Sequence, residues 1–409
     1  MPATQEAPLF VPILTTKSHR DEKGRQIVDK AEEVSFDFAR KFWADRVEEM
    51  SRKADLEKCQ VVVLANHPGD INTKLAQSLR EKSLGAYPAA VNLDKIFDDK
   101  EKEYRIIGES PRADIVHVVS TIEEEADLLR IARVADHFKD TLNAKYATLT
   151  LTHMVSRQDK NIDSKTGQYK ETPVNVRADM KILAGFYDLL TGVEPHSGSA
   201  QFYAAQAGLP MAPLSPWKIM IDEIQSRGVK INNHRVPLTT DNSVTVRPDK
   251  GRNTAATRIS DYTGTPSVSF NKTRLECYSV SIMELSPAEQ QMVKGKICLL
   301  YDDEANTLGT LERITQQLDE YGALAVAVCF AHLKLTRDWE EKMQHPKITT
   351  VLGTDTRKPV NDIRLASKLE VITLAPWLRQ IMAANINGAN FWENPEFRHT
   401  ILQPLPEES

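Results

Sequence analysis

The chain has 409 residues, enough for two domains with ordinary hydrophobic cores and some added segments. Its net charge of −5 at pH 7 and its dispersed basic residues exclude a general affinity for polyanions, so nucleic acid is not an expected partner. No apolar run reaches the length of a membrane span, the first residues lack the pattern of a secretion signal, and the 4 cysteines form no C-x-x-C pair, so a cytoplasmic protein with reduced, buried thiols is expected.

In chain order, residues 1–57 read as an extension. Phe38, Phe42, Trp43, Val47 and Met50 recur among charges over residues 32–51 as the apolar side of an amphipathic helix, one that covers a core surface or a neighbouring subunit. Strand and helix patterns then alternate. The first unit, bounded at 58–210, has a strand from Val61, a helix over 72–82, a mixed region around Phe97 and a strand over 115–120. A helix over 123–140, a strand over 147–152, a helix over 174–184 and a strand over 186–190 complete it. The second unit, 211–374, repeats the alternation: helix 216–226, strand 243–246, helix 253–262, strand 267–270, strand 297–301 with the helix after it, and strand 323–330. Such alternation predicts an α/β fold with mostly parallel sheets and helices on both faces. The final stretch, 375–409, begins as a helix around Trp377, Leu378, Ile381 and Met382 and continues as a polar, proline-containing docking segment.

The segment Lys296–Leu311, KICLLYDDEANTLGTL, carries the strongest chemical signal. Its apolar run reads as a buried parallel strand that ends at Asp302 and Asp303. Asn306, Thr307, Gly309 and Thr310 then supply small and hydroxyl side chains ahead of the helical pattern Leu311, Ile314, Leu318. A strand, a polar turn and a helix start in that order make a cradle of backbone N–H groups at a positive helix end, where a phosphate is favoured. The two acids suit the hydroxyls of a sugar, or a cation held between sugar and phosphate. A sugar phosphate satisfies both halves of the arrangement.

Other polar patches close predicted strands, where open α/β sheets place ligands. Phe97, Asp99 and Glu101 pair an aromatic face with carboxylates able to take a purine and its ribose; taken alone, such a group is more commonly a solvated acidic turn. Arg157, Gln158 and Asp159 offer a guanidinium fork and an amide, in a setting that equally describes a polar loop. His196 follows a strand, where a histidine is more often structural than a ligand. Asp249 stands between Pro248 and Lys250-Gly251-Arg252, as a cation-binding acid or as a turn with a helix cap. Lys272 and Arg274 fall on one face of an extended segment, able to reach one anion. No G-x-x-x-x-G-K-[ST] occurs, so a Walker-type loop is excluded as an ATP site.

Asp302-Asp303 followed by Thr307-Leu308-Gly309-Thr310 resembles the ribose-5-phosphate loop of type I phosphoribosyltransferases and of ribose-phosphate pyrophosphokinases, the phosphoribosyl pyrophosphate (PRPP) synthetases. With Phe97-x-Asp99-x-Glu101, Arg157-Gln158-Asp159, His196, Pro248-Asp249-x-Gly251 and Lys272-x-Arg274 ahead of it in order, the chain resembles the whole motif series of the pyrophosphokinases over residues 58–380. The resemblance implies two tandem phosphoribosyltransferase-like domains, the first with an ATP flag and the Arg-Gln-Asp motif, the second with the ribose-5-phosphate loop and a catalytic loop. It implies an enzyme that moves the β,γ-diphosphoryl group of ATP to the anomeric hydroxyl of ribose 5-phosphate. Phe97, Asp99 and Glu101 would contact adenine in a neighbouring subunit, and Arg157, Gln158, Asp159 and His196 would contact ATP. His196 and Asp249 would hold Mg2+, Lys272 and Arg274 would form the catalytic pair, and Asp302, Asp303, Asn306, Thr307, Gly309 and Thr310 would bind ribose 5-phosphate. An adenine site shared between subunits implies a homo-oligomer built from dimers, in this family commonly a hexamer.

The departures from the family pattern carry expectations of their own. Leu308 stands where the family usually has Gly or Ala, and its bulk is expected to narrow or reshape the phosphate cradle. Glu194 replaces an Asp, Lys250-Gly251-Arg252 replaces His-Gly-Gly or Gly-Gly, and Thr273 replaces the middle Arg of Lys-Arg-Arg. Leu308 and the added cations leave open another 5-substituted ribose, such as ADP-ribose, as acceptor. A phosphoribosyltransferase, which consumes PRPP, would have no use for the first-domain motifs. A non-catalytic regulatory subunit would lose the positions that His196, Asp249, Lys272 and Arg274 retain. Replacing Lys272 by Ala is expected to lower the rate of AMP release at saturating substrate by about a hundredfold or more, the loss that follows removal of one strong transition-state donor. Near-normal turnover would remove Lys272 from the chemistry.

Overall fold

The computed structural model describes residues 18–20, 26–28, 36–56, 58–64, 71–81, 89–96, 98, 102–107, 113–156, 173–195, 199–248, 254–274, 281–358, 367–386, 394 and 397–401. A short hairpin, β1 (Ser18–Arg20) and β2 (Gln26–Val28), precedes helix α1 (Phe36–Lys53). Then come β3 (Cys59–Val63), α2 (Ile71–Glu81), β4 (Ala89–Ile96), β5 (Lys102–Ile107), β6 (Ile115–Ile122) and α3 (Glu125–Asp136), which runs into a π-helical turn, His137–Thr141. β7 (Tyr146–Met154), α4 (Asn175–Ala184), β8 (Leu189–Val193), α5 (Ser199–Gln206) and β9 (Met211–Leu214) complete the first half. Helix α6 (Trp217–Arg227) and the hairpin β10 (Val229–Ile231) and β11 (His234–Val236) lead to β12 (Ser243–Arg247), α7 (Thr254–Thr263) and β13 (Ser267–Ser269). A second hairpin, β14 (Asn271–Arg274) and β15 (Ser281–Glu284), is followed by α8 (Pro287–Val293), β16 (Ile297–Ala305), α9 (Gly309–Glu320) and β17 (Ala325–Leu333). The remaining elements are α10 (Trp339–Met343), β18 (Ile348–Thr354), β19 (Leu369–Ile372), α11 (Ala375–Ile386) and a 3₁₀ turn, Arg398–Thr400.

The strands form two large sheets. A seven-stranded sheet has the order β5-β4-β3-β6-β7-β8-β9 and is parallel except for β5, which pairs antiparallel with β4. A six-stranded sheet, β13-β12-β16-β17-β18-β19, is parallel throughout. Strand order reverses between β3 and β6 in the first and between β12 and β16 in the second, and the crevice beyond the carboxyl ends at such a reversal is where open α/β sheets bind ligands. The central strands are covered on both faces by helices or by the other half of the molecule; all residues of β6, β7 and β17 are buried, the histidines and hydroxyl residues of β6 and β7 included.

Apolar side chains gather in three clusters. One lies between the first sheet and its helices α3, α4 and α5, and a second between the second sheet and α9 and α10. The third joins the halves: Val61 and Leu214 of the first sheet and Leu299 and Tyr301 of β16 share it with Trp217 of α6 and Leu378 of α11. Trp43 and Met50 of α1 are buried in that cluster, so the N-terminal helix covers a core surface of its own chain. Among the described residues no helix is long and apolar enough to cross a membrane. Cys59, Cys298 and Cys329 are buried free thiols, and burial pushes Cys59 and Cys298 up to about 12; Cys277 lies outside the described residues.

Several elements escape the sequence pattern. Helix α5 shows no helical period because Ala200, Gln201, Phe202, Ala204 and Ala205 are all buried, so both its sides are apolar or small. Strand β9 extends the first sheet past Pro210, as far as Leu214. The stretch before Pro287 contains the hairpin of β14 and β15, and α8 opens on a capping box, with Ser286 accepting from the Glu289 amide. At the open edge of the first sheet, Leu214 bridges Ile401 and the Ser215 amide donates to the Thr400 carbonyl at 2.6 Å, so the distal segment covers that edge.

A single carboxylate fastens β19 to α6 and the hairpin that follows. Glu370 lies 2.9 Å from Arg227, 2.9 Å from Lys230 and 2.7 Å from Arg235. Burial raises its carboxyl, but the hydrogen bonds and charges of Lys230, Arg227 and Arg235 outweigh that and hold it down at about 2. Its folded value is depressed, so its contribution is complete above the unfolded carboxyl range near 4.3 and fades as pH falls toward about 2. In urea unfolding, Glu370→Gln should be less stable than the parent at pH 7, and the gap should narrow steadily between pH 5 and pH 2.5; a gap independent of pH would show that the carboxylate charge is not what the three cations hold.

Candidate active site

Strand β16 does not stop at its two acids. Parallel pairing with β17 continues through Asp302 opposite Phe330 and Glu304 opposite His332 to Ala305 opposite Leu333. The expectation that the strand ends at Asp302 and Asp303 is therefore corrected: pairing runs on past them to Ala305, and the Asp303 amide donates to Asp302 Oδ1 at 3.0 Å. Asp302 lines a narrow cleft with Pro248, Thr310, Leu311 and Phe330, at the strand-order reversal between β12 and β16. The Asp303 charge is felt by Asp302, by Glu194 and by His332. Burial, reinforced by the Asp303 charge, raises the carboxyl of Asp302 well above the ordinary carboxylate range. Crowding of this kind is relieved by a cation or by donating hydroxyls.

The turn after β16 is held from beneath. The amides of Lys334 and Leu335 both donate to the Ala305 carbonyl at 2.9 Å, and the Thr336 amide donates to Asn306 O at 3.1 Å. The Thr336 hydroxyl bonds the Asn306 side chain, and Lys342 Nζ reaches Thr307 O at 2.8 Å. With the carbonyls engaged on that side, the amides of Thr307, Leu308, Gly309 and Thr310 find no acceptor among the described residues, and they stand at the positive end of α9. Leu308 is left-handed, with φ 56° and ψ 13°, the reason a smaller residue is at home there. Its side chain is nevertheless only 5% exposed and belongs to the second-domain core with Leu311, Leu333 and Leu335. The expected narrowing of the cradle does not occur, because the bulk is spent on packing. Gly309 has ordinary backbone angles, and among the described residues a Cβ there would meet only Thr307 Oγ1 at 3.8 Å.

Beside the cradle lies a buried ion pair, Lys334 Nζ to Glu304 Oε2 at 2.9 Å, both side chains under 9% exposed. His332, next on β17, faces the Val193 and Glu194 carbonyls with Nε2 at 3.1 and 3.3 Å and Thr356 with Nδ1 at 2.8 Å. Its ring meets that of His153 edge-on at 4.8 Å. Burial lowers His332 to about 4 and His153 well below its usual value, so both rings are neutral near pH 7. Glu194 is pushed up to about 7 by burial, against the lowering effect of the Ser215 and Tyr301 hydroxyls.

Of the residues singled out from the sequence, Asp302 and Thr310 line one cleft with Pro248, and Asp303, Asn306, Thr307 and Gly309 lie on the same stretch of chain from β16 into α9. Lys272 and Arg274 lie on β14, opposite Met283 and Ser281 of β15; only their backbone is described. Phe97, Asp99, Glu101, Arg157, Gln158, Asp159, His196 and Asp249 lie outside the described residues. The backbone of β4 and β5 forms an antiparallel hairpin on either side of residues 97–101. Among the described residues no group of three or more His, Cys, Asp or Glu could hold a metal ion. Sequence reasoning missed Tyr301, Ser215, His332 and the Glu304–Lys334 pair. The only available signal was a third acid, Glu304, in the Asp-Asp-Glu run.

The cradle assigns Gly309 a role that stability does not require. Gly309→Leu should shift the thermal unfolding midpoint by no more than about 2–4 °C, equivalent to ~1 kcal/mol, yet abolish the rise in midpoint that millimolar inorganic phosphate gives the parent. An undiminished phosphate effect in the variant would place the anion elsewhere.

No family model matches the chain. Among curated proteins, it is 25% identical over 312 residues to the ribose-phosphate pyrophosphokinase of Caldanaerobacter subterraneus subsp. tengcongensis, covering 75% of this chain and 90% of the relative. It is 24% identical over 321 residues to ribose-phosphate pyrophosphokinase 4 of Saccharomyces cerevisiae, covering 76% and 90%. In fold, it matches the crystal structure of phosphoribosylpyrophosphate synthetase from Mycobacterium smegmatis with a TM-score of 0.64 at 21% identity, over 81% of this chain and 100% of that one. The chain therefore resembles the ribose-phosphate pyrophosphokinases in sequence and in fold across both of its sheets.

Proposed function

We propose that this protein is an enzyme that transfers the β,γ-diphosphoryl group of ATP to the anomeric hydroxyl of ribose 5-phosphate, giving PRPP and AMP, with Mg2+ as cofactor. The observation that carries the reading is the turn from β16 into α9, where two adjacent carboxylates adjoin a row of open amides. The amides and the helix end take the 5-phosphate, and Asp302 and Asp303 accept hydrogen bonds from the pentose hydroxyls. Similarity over 90% of the length of named pyrophosphokinases, spanning both sheets, favours this reading over a phosphoribosyltransferase.

In the transfer, the anomeric oxygen forms a bond to the β-phosphorus, the bond from that phosphorus to the bridging oxygen of AMP breaks, and the hydroxyl proton is lost. Such chemistry asks the protein for alignment and for positive charge where the equatorial oxygens gain density. Lys272 and Arg274 supply that charge in this reading. Phe97, Asp99 and Glu101 take the adenine, and Arg157, Gln158 and Asp159 the rest of the nucleotide. The crowded carboxylates of β16 suit a hard, oxygen-liganded ion nearby, and His196 and Asp249 would hold Mg2+, which when bound neutralises phosphate charge. A cytoplasmic homo-oligomer built from dimers completes the proposal.

A larger 5-substituted acceptor such as ADP-ribose gains nothing from Leu308, whose side chain is in the core. The test is a mixture of purified protein, ATP, Mg2+ and ribose 5-phosphate followed by phosphorus NMR. AMP and PRPP should accumulate in equal amounts, and ADP-ribose in place of ribose 5-phosphate should release no AMP. Absence of both products with ribose 5-phosphate would overturn the assignment.

A further inference from the structure

The two halves of the molecule meet through a buried polar contact that the chemistry above does not use. Glu194 follows β8 directly, has a left-handed φ of 39° and is 5% exposed. Such a conformation is unfavourable for a non-glycine residue and persists only where its surroundings hold it. What holds it comes from both domains. Its amide donates to Leu214 O at 2.7 Å, and its Oε1 accepts from Tyr301 Oη at 2.5 Å and from the Ser215 hydroxyl. Ser215 Oγ lies 3.2 Å from Tyr301 Oη, closing a triangle, and His332 of β17 faces the carbonyls of Val193 and Glu194.

Tyr301 stands on β16 immediately before Asp302. Its ring is part of the apolar cluster shared by the two halves, where a phenylalanine would pack as well, so the hydroxyl and its desolvation are explained only by the partner it reaches. We infer that Tyr301 is a positioning residue: through Glu194 it fixes the turn that begins after β8 and runs on toward His196 relative to the strand that bears Asp302 and Asp303, keeping the nucleotide and pentose halves of the site in register. The meaning of the two halves rests on the proposed function; the contact itself does not. Ser215 serves the same end from the first domain, and its amide is anchored in turn to the distal segment through Thr400 O.

Two measurements on the full chain test this and separate it from the functional reading. In hydrogen exchange on the ligand-free protein, Tyr301→Phe should speed exchange of amides in residues 190–194 while leaving helix α9 at the parental rate; unchanged exchange at 190–194 overturns the inference whatever the protein catalyses. In steady-state AMP release, Tyr301→Phe should lower kcat roughly tenfold to a hundredfold with the KM for ribose 5-phosphate within about twofold of the parent, the signature of misaligned reactants. Combining Tyr301→Phe with Glu194→Gln should then cost less than the product of the single losses, because both act through one contact. A parental kcat in Tyr301→Phe, or fully multiplicative losses, overturns the inference. A parent that makes no AMP overturns the proposed function and leaves the exchange experiment to decide the positioning role.

Discussion

Parallel strands that are apolar on both sides must be covered on both sides, and in this protein each large sheet uses the other half of the molecule for part of that cover. Val61 and Leu214 from one sheet and Leu299 and Tyr301 from the other belong to one apolar cluster, into which Trp43 of α1, Trp217 of α6 and Leu378 of α11 are also folded. The relative placement of the two sheets is thus part of the core, and the polar groups on their facing strand ends are brought together whether or not they attract. Lys74 of α2 meets Asp355 after β18 at 2.6 Å, and the Lys358 amide meets Glu123 at 3.2 Å, so the closure is also stitched at its polar margin.

Where the two sets of strand ends converge, the protein meets the cost of burying polar groups in three different ways. Glu304 is matched by a cation, Lys334. His153 and His332 are kept neutral by burial and bonded to backbone or hydroxyl. Asp302 and Asp303 stand side by side on one strand, where burial and the neighbouring charge raise the carboxyl of Asp302.

Much of the fold is legible in the sequence. Runs such as Val61-Val62-Val63 and Ala325–Leu333 can only be strands covered on both faces, and their alternation with helical patterns specifies parallel sheets. The turn after β16 is legible through residue type, since small and hydroxyl side chains ahead of a helical pattern mark a turn whose amides stay open. Helix α5 was hidden because a helix buried on all sides has no period to read, and β9 because four residues are too few to show one. Sequence alone also misjudged Leu308: a bulky side chain near a cradle says nothing about which way it points until the left-handed backbone turns it into the core.

Local order was therefore determined by the chain itself: which segments are strands, which are helices, and which turn leads from β16 into α9. Pairing across sequence distance was decided only by the tertiary structure. Tyr301 and Glu194 are 107 residues apart, and nothing in the neighbourhood of either predicts a hydrogen bond between them. Periodicity reports which side of an element is buried, because burial acts on each residue locally. It carries no record of what lies on the other side, and that depends on how two sheets, each stable in its own pattern, close on each other.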